Sequence, residues 1–209
     1  MITLGHTFLG RPTFFNVIGR IAFPIFAFQI TEGYIHTKNL KQYFLRLGIF
    51  ALISQIPFMI FLNSIGINKF TLNVFFTLIL GLLCITIYDK SKNKSLGILL
   101  VLLLMILSEL LKCDYGYYGI VLTFLFYLFK NKKSYMNISV TFLIIVKYFI
   151  DYINKPHIYQ IYLAIGTILS LLFINLYNNK KGKNIKYLLY IFYPLHLIIL
   201  SILKIFILN

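Results

Sequence analysis

Four titratable side chains stand where they could transfer protons: three histidines and one glutamate. His36 follows Glu32 by four residues, so the two share one face if this stretch is helical. His196 lies about ten residues from either end of a long apolar run, and His6 lies in the apolar N-terminal stub. A histidine base oriented by a carboxylate suits proton removal from an amine or a hydroxyl. We therefore take these four as candidate catalytic residues, with an interfacial or core histidine as the alternative for His36 and His196.

Two arginines are candidates for binding an anionic group. Arg20 lies inside an apolar stretch, and Arg46 lies near the start of the next one. The planar guanidinium suits a phosphate or a carboxylate. Snorkelling to lipid headgroups is the alternative for Arg20. Another buried cation, Lys147, is expected to pair with Asp151 one helical turn away.

Four further residues are candidates for substrate binding. Gln55 sits in a polar break of an apolar stretch, where a hydrogen bond between helices would explain it equally well. Asn73 opens the next stretch, and an N-cap is its favoured alternative. Asp114 stands in a tight aromatic turn, and Tyr193 precedes His196 by three residues. Cys84 and Cys113 stand apart, so we expect neither a disulfide framework nor a metal site.

The composition indicates which solvent surrounds these residues. Of 209 residues, 60% are hydrophobic and 12% are charged, and the mean hydropathy is +0.86. A soluble domain carries about 25% charged residues, so this surface must itself be apolar and face a lipid bilayer. The net charge of +15 could suggest nucleic acid. The basic residues instead cluster between long apolar runs, so we expect no nucleic-acid partner.

The apolar runs predict an all-α, polytopic membrane helix bundle with about eight transmembrane helices. A helix needs about 20 apolar residues to cross the hydrocarbon core. The stub 1–10 is too short to span, so we expect it either to lie in the outer interface or to be the tail of a possible ninth helix. No linker or repeat divides the chain, and we treat 1–209 as a single integral membrane domain. The predicted spans are 14–35, 44–63, 72–88, 96–111, 117–130, 136–153, 158–177 and 187–208.

The basic residues predict how the spans are oriented. Alternate connections hold most of them, and an excess of lysine and arginine marks the cytoplasmic side. We therefore expect a multi-pass protein of the cell membrane, with its C-terminus outside the cytoplasm. The residues assigned to the cytoplasmic side are Lys38, Lys41, Arg46, Lys90, Lys92, Lys94, Lys130, Lys132, Lys133, Lys180, Lys181, Lys183 and Lys186.

Several sequence blocks resemble the TraX family. The resemblance runs from about residue 15 to the end of the chain. The blocks are Gly19 to Phe28 (GRIAFPIFAF), Glu32 to Asn39 (EGYIHTKN), Tyr43 to Arg46, Ala51 to Phe58 (ALISQIPF), Leu72 to Leu78 (LNVFFTL), Asp114 to Gly119 (DYGYYG) and Phe192 to Leu197 (FYPLHL).

The resemblance implies a multispanning membrane protein. TraX proteins are named for N-terminal acetylation of conjugative pilin and are similar to membrane acyltransferases that use cytoplasmic acetyl-CoA. They open with a further helix that holds an Asp-His pair. Here His6 matches that histidine and Gly5 replaces the acid. We therefore expect an upstream extension that encodes the rest of this helix.

Residues and resemblance together predict a membrane-bound acetyltransferase. It would use acetyl-CoA as donor and would acetylate an amine or hydroxyl at or beyond the membrane, on a pilin-like peptide or an envelope glycan. The alternative is a membrane transporter or a non-catalytic, degenerate membrane subunit, because transport would use the same polar residues. Binding of acetyl-CoA would distinguish an enzyme from a transporter.

Overall fold

The computed structural model describes residues 14–178 and 186–208, and its regular elements there are all α-helices. This confirms the predicted all-α class for the described residues. The stub 1–10, with His6, lies outside them. The helices are α1 (Phe14–His36), α2 (Leu40–Ser64), α3 (Val74–Lys90), α4 (Lys94–Leu110), α5 (Gly116–Leu128), α6 (Lys133–Asn154), α7 (Tyr159–Asn175) and α8 (Lys186–Leu208).

The helix boundaries follow local sequence signals and agree with the predicted ones to within four residues. Three helices begin after an asparagine whose side chain accepts a backbone N–H. Asn39 caps α2, Asn73 caps α3 and Asn93 caps α4. An asparagine oxygen satisfies an N–H that has no partner within its own helix, so each cap fixes where its helix begins.

Small residues allow α1, α3 and α5 to pack closely at the centre of the structure. They occur in pairs spaced four residues apart: Ala27 and Thr31, Thr77 and Gly81, and Gly119 and Thr123. A Cβ on Gly119 would lie 2.5 Å from Thr77 Cγ2 and 2.8 Å from Phe23 Cζ, and one on Gly81 would lie 2.9 Å from Thr123 Oγ1. This spacing places both small residues on one face, as at close helix contacts within membranes.

The remaining helices surround this centre. The described residues place α4 against α3 and α5, α6 against α5 and α7, and α7 against α1. On the other side α2 packs against α3, and α8 packs against α2. The contact between α1 and α7 is among the most extensive in the structure. The polar groups described below therefore lie between helices, apart from those at the helix ends.

Contacts between connections show that they alternate between two ends of the bundle. Asp89 accepts hydrogen bonds from Tyr34 and Tyr127, which brings the ends of α1, α3 and α5 together. We call this the basic end, defined by the connections 37–39, 91–93 and 129–132. At the opposite end, the backbones of Leu72 and Cys113 pair as an isolated bridge between the α2–α3 and α4–α5 connections.

Large apolar side chains cover much of the outer surface. On α4 they include Leu99, Leu103 and Leu110, and on α6 they include Ile138 and Phe142. By length and composition α2 and α6 could cross a membrane, whereas α5, α7 and Tyr190–Phe206 of α8 are shorter apolar helices. Two of the eight predicted spans thus meet this criterion among the described residues.

The predicted ion pair within α6 is present. Lys147 Nζ donates to Asp151 Oδ1 at 2.6 Å, and both side chains are partly buried. Because these residues are four apart, they meet on one helix face. The pair explains how α6 carries two charges inside an otherwise apolar stretch.

We expect Gly119→Ala to destabilise the protein and Gly48→Ala to leave stability unchanged or raise it. The new methyl at 119 would overlap Thr77 and Phe23, whereas a Cβ on Gly48 would meet nothing within 4 Å. Overpacking costs about 1–3 kcal/mol, and a helical Gly→Ala change otherwise gains about 0.5–1 kcal/mol. Unfolding of both variants in detergent measures the difference. Equal stability of the two would contradict close packing at Gly119.

Candidate functional site

A cavity of about 510 Å³ lies between α1, α2, α3 and α8. Its mouth is at the basic end, where His36, Thr37 and Lys38 line it. Its deep end reaches the first turn of α3 and Tyr193 of α8. From His36 to Phe26 the cavity follows ten residues of α1, or about 15 Å at 1.5 Å per residue. We call this the α1–α8 cavity.

The charges around the α1–α8 cavity favour an anionic ligand. Lys38 and Arg46 line it, and no aspartate or glutamate is among the lining residues. The Nε of Arg46 is buried without a hydrogen-bond partner, and its guanidinium carbon lies 5.9 Å from the centre of the Tyr43 ring. A buried N–H without a partner is unfavourable, and a phosphate or carboxylate would satisfy it.

The predicted pairing of His36 with Glu32 is present at the mouth. His36 Nε2 lies 3.5 Å from Glu32 Oε2, with the histidine side chain 64% exposed and the glutamate 20%. The Tyr177 hydroxyl also donates to Glu32. Because the His36 ring is so exposed, it belongs to the aqueous end of the cavity. The Glu32 carboxylate fixes the position of the imidazole at this end of the cavity.

Tyr193 lines the deep end, and His196 lies beside it on α8. Tyr193 is 8% exposed and lines the cavity, with its ring edge-on to Phe75 at 5.3 Å. The His196 ring centre lies 5.4 Å from that of Tyr193, and His196 Nδ1 lies 3.0 Å from the Phe192 carbonyl oxygen. If Nδ1 carries the proton in this contact, Nε2 remains an acceptor. His196 itself does not line the cavity.

A glycine brings α1 and α2 together beside the cavity. A Cβ on Gly33 would lie 2.5 Å from the Tyr43 hydroxyl oxygen, so only glycine permits this approach. Tyr43 is 7% exposed and lines the same cavity. The sequence signal was the glycine directly after Glu32, but nothing in the sequence indicated its tyrosine partner.

Gln55 and Asn73 join α2 to the start of α3. Asn73 Nδ2 donates to Ala51 O at 2.7 Å and to Gln55 Oε1 at 2.9 Å, while its Oδ1 accepts from Phe75 N at 3.0 Å. Gln55 Nε2 donates to Thr71 O at 2.8 Å. Asn73 is therefore an N-cap and Gln55 makes a hydrogen bond between helices, as the alternatives to substrate binding had it. Neither residue lines the α1–α8 cavity.

Arg20 and Asp114 lie at the opposite end, in a second polar cluster. Arg20 donates to the Tyr115 hydroxyl and interacts electrostatically with the Asp114 carboxylate. The Tyr115 ring stacks on Phe23 with ring centres 3.5 Å apart. Neither Arg20 nor Asp114 lines the α1–α8 cavity. The structure thus divides the predicted binding residues between two separate places.

A third polar group, which the sequence did not predict, lies at the basic end. The Asp89 carboxylate accepts from Tyr34 Oη at 2.7 Å and from Tyr127 Oη. These hydrogen bonds, Tyr127 first and then Tyr34, lower the pKa of Asp89. Asp89 was visible as one of five acids, but its partners come from distant helices and only the fold brings them together.

Among the described residues, no group of three or more His, Cys, Asp or Glu side chains is placed to hold a metal ion. The polar residues that line the elongated, partly aromatic cavity are instead two cations, one imidazole, one amide and several hydroxyls. Such a cavity suits an organic anion with an apolar or extended portion. In class, then, the chain is a helical protein with a cationic cavity that opens at its basic end.

Comparison with known proteins gives the family. The chain matches the family described as TraX protein over residues 2–204. A curated relative, the probable fimbrial assembly protein FimC, serogroup H1, of Dichelobacter nodosus, is 29% identical over 204 residues, covering 90% of this chain and 82% of the relative. No solved structure matches. The chain belongs to the TraX family, which confirms the resemblance seen in its sequence.

We expect Asp89→Asn to lower the melting temperature at neutral pH and to lose this effect in acid. The folded pKa of Asp89 is lowered, so its stabilising contribution is present above the unfolded value of about 3.9 and is lost as the pH falls further. Melting curves of wild type and variant between about pH 7 and pH 3 test this. In a background that carries Tyr34→Phe and Tyr127→Phe, Asp89→Asn should lower the melting temperature by less, because the carboxylate has already lost its two hydrogen-bond donors. A constant difference at every pH would contradict this role.

Proposed function

We propose that the chain is a multi-pass membrane acetyltransferase that moves an acetyl group from acetyl-CoA to an amine or hydroxyl at or beyond the membrane. The observation that carries the proposal is the α1–α8 cavity. It is cationic at its mouth, free of acids along its lining and aromatic toward its deep end. Acetyl-CoA has the matching order of parts: phosphates, then an extended arm, then the thioester.

The outer surface supports the membrane assignment. Large apolar side chains are exposed along α4 and α6, and water would make such a surface unfavourable. A helix of 17 residues such as α4 reaches about 25 Å, near the hydrocarbon thickness of about 30 Å. At 13 residues α5 is shorter, but most of it is buried among its neighbours, so they shield its ends from lipid.

The basic end is assigned to the cytoplasm. Among the described residues it carries most of the lysines, and the connections at the opposite end carry few. Lysines at the basic end also lie over tyrosine rings, as Lys130 lies 4.3 Å from Tyr127 and Lys94 lies 4.8 Å from Tyr88. Tyrosine and lysine are the residues that anchor helix ends at a membrane interface. The mouth of the cavity would then face cytoplasmic acetyl-CoA.

We expect a cysteine at position 155 to react with an impermeant maleimide in intact cells and one at position 92 to be protected. Lys92 lies at the basic end and Lys155 at the opposite end, and both side chains are exposed. The buried Cys84 and Cys113 would first be replaced by alanine to remove background labelling.

Permeabilised cells provide the matched control, because both engineered cysteines should then react. Labelling of position 92 in sealed cells, or protection of position 155, would overturn the proposed orientation.

The mouth residues are proposed to hold the anionic part of the donor. Lys38 and Arg46 supply fixed positive charge, and Arg46 has a buried N–H still to be satisfied. His36, held beside Glu32, adds a third polar side chain at the mouth. With the phosphates held here, the arm would extend along α1 and α3 and bring the thioester to the deep end.

The chemistry is proposed to take place near Tyr193 and His196. The acceptor nitrogen or oxygen attacks the thioester carbonyl carbon while His196 Nε2 takes its proton. The carbon–sulfur bond then breaks, the acetyl group stays on the acceptor, and the CoA thiolate takes a proton from the imidazolium. Donor and acceptor held in line would supply much of the rate gain.

The acceptor is proposed to approach from the opposite end. The cluster of Arg20, Asp114 and Tyr115 lies there, and its charges suit the ends of a peptide or the hydroxyls of a glycan. The relative named above is a probable fimbrial assembly protein. By that similarity we favour a peptide amine from a surface fibre over an envelope glycan.

We expect His196→Ala and His36→Ala to affect different kinetic constants. Loss of a general base at His196 should lower turnover by about 10²–10⁴-fold. Loss of an exposed anion-binding group at His36 should mainly raise the KM for acetyl-CoA. His157→Ala is the matched control, because this exposed histidine lies in the α6–α7 connection. Release of CoA thiol by purified protein measures all three.

The same experiment tests the enzyme assignment itself. Full activity in both His36→Ala and His196→Ala would show that the assigned site is wrong. If correctly inserted wild-type protein neither binds nor consumes acetyl-CoA, a transporter or a non-catalytic subunit replaces the enzyme.

A further inference from the structure

The Tyr193 hydroxyl is a hydrogen-bond donor whose proton has no acceptor among the described residues. Its side chain is 8% exposed and lines the deep end of the α1–α8 cavity. The hydroxyl of buried Tyr148, by contrast, lies 3.0 Å from Thr167 Oγ1. A buried hydroxyl normally finds a partner, so a donor open toward the cavity can bind an acceptor on a ligand held there.

The first turn of α3 lies next to the Tyr193 hydroxyl. The Asn73 side chain satisfies the N–H of Phe75 at 3.0 Å, while the N–H of Val74 faces the Tyr193 oxygen. An oxygen that accepts one hydrogen bond becomes a better donor through its own proton. The partial positive charge of a helix N-terminus also lies here and favours negative charge on a ligand.

We propose that Tyr193 is the residue that binds the thioester carbonyl oxygen and stabilises the negative charge that develops on it. This inference rests on the proposed function and adds a catalytic residue to it. As the acceptor attacks, the electron pair of the carbonyl bond moves to oxygen, which the Tyr193 O–H then holds. When the carbon–sulfur bond breaks, the pair returns to re-form the carbonyl of the acetylated product. Tyr193 keeps its proton throughout.

Two measurements on purified full-length protein in lipid nanodiscs test this role. The first compares binding of acetyl-CoA with binding of S-ethyl-CoA, a thioether of the same length without the carbonyl. Wild type should prefer acetyl-CoA by about fivefold, the effect of one hydrogen bond. Tyr193→Phe should bind both compounds equally.

The second measurement is release of CoA thiol with water or a short peptide amine as acceptor. Tyr193→Phe should lower turnover by about 10²–10³-fold, as loss of one oxyanion donor does. Its KM for acetyl-CoA should rise by no more than about fivefold, the loss of one ground-state hydrogen bond, because the phosphates remain held at the mouth. Tyr88→Phe is the control, since it removes a tyrosine hydroxyl near the far end of α3, outside the cavity.

The outcomes separate this inference from the proposed function. If wild type binds acetyl-CoA but Tyr193→Phe keeps both the carbonyl preference and the turnover, Tyr193 has no such role and the enzyme assignment stands. If wild type binds neither acetyl-CoA nor S-ethyl-CoA, the proposed function fails and this inference fails with it.

Discussion

The close contact of α1, α3 and α5 is the constraint on which the other features depend. Gly119 leaves no room for a Cβ between Thr77 and Phe23, and Gly81 leaves none against Thr123. Because these helices pack this closely, their ends meet closely enough for Tyr34 and Tyr127 to share Asp89. Small residues at the centre therefore place a charged group and its partners at the basic end.

Hydrogen bonds to the start of α3 set the position of α2 beside the cavity. Asn73 and Gln55 tie the start of α3 to the Ala51 region of α2, eleven residues or about 16 Å along that helix. The start of α3 thus lies deep beside α2, where Val74 and Phe75 line the cavity. The hydrogen bonds of Asn73 fix the position of the α3 N-terminus, which lies next to Tyr193.

Polar groups divide between the two ends of the bundle because burying them costs free energy. At the basic end, lysines and Arg46 surround the cavity mouth, and at the other end Arg20 has Tyr115 and Asp114 beside it. Between these places the interior is apolar or aromatic.

The sequence alone determined the helical class, the helix boundaries and the family, because apolar run length, asparagine caps and motif blocks are local properties. It also named His36, Glu32, Arg46 and Tyr193. Only the tertiary structure decided that Arg20 lies apart from this group. Likewise it alone showed the Gly33–Tyr43 approach and the Asp89 hydrogen bonds. The physical reason is distance along the chain: Tyr34 and Tyr127 are 55 and 38 residues from Asp89, and no local pattern encodes which helices will touch.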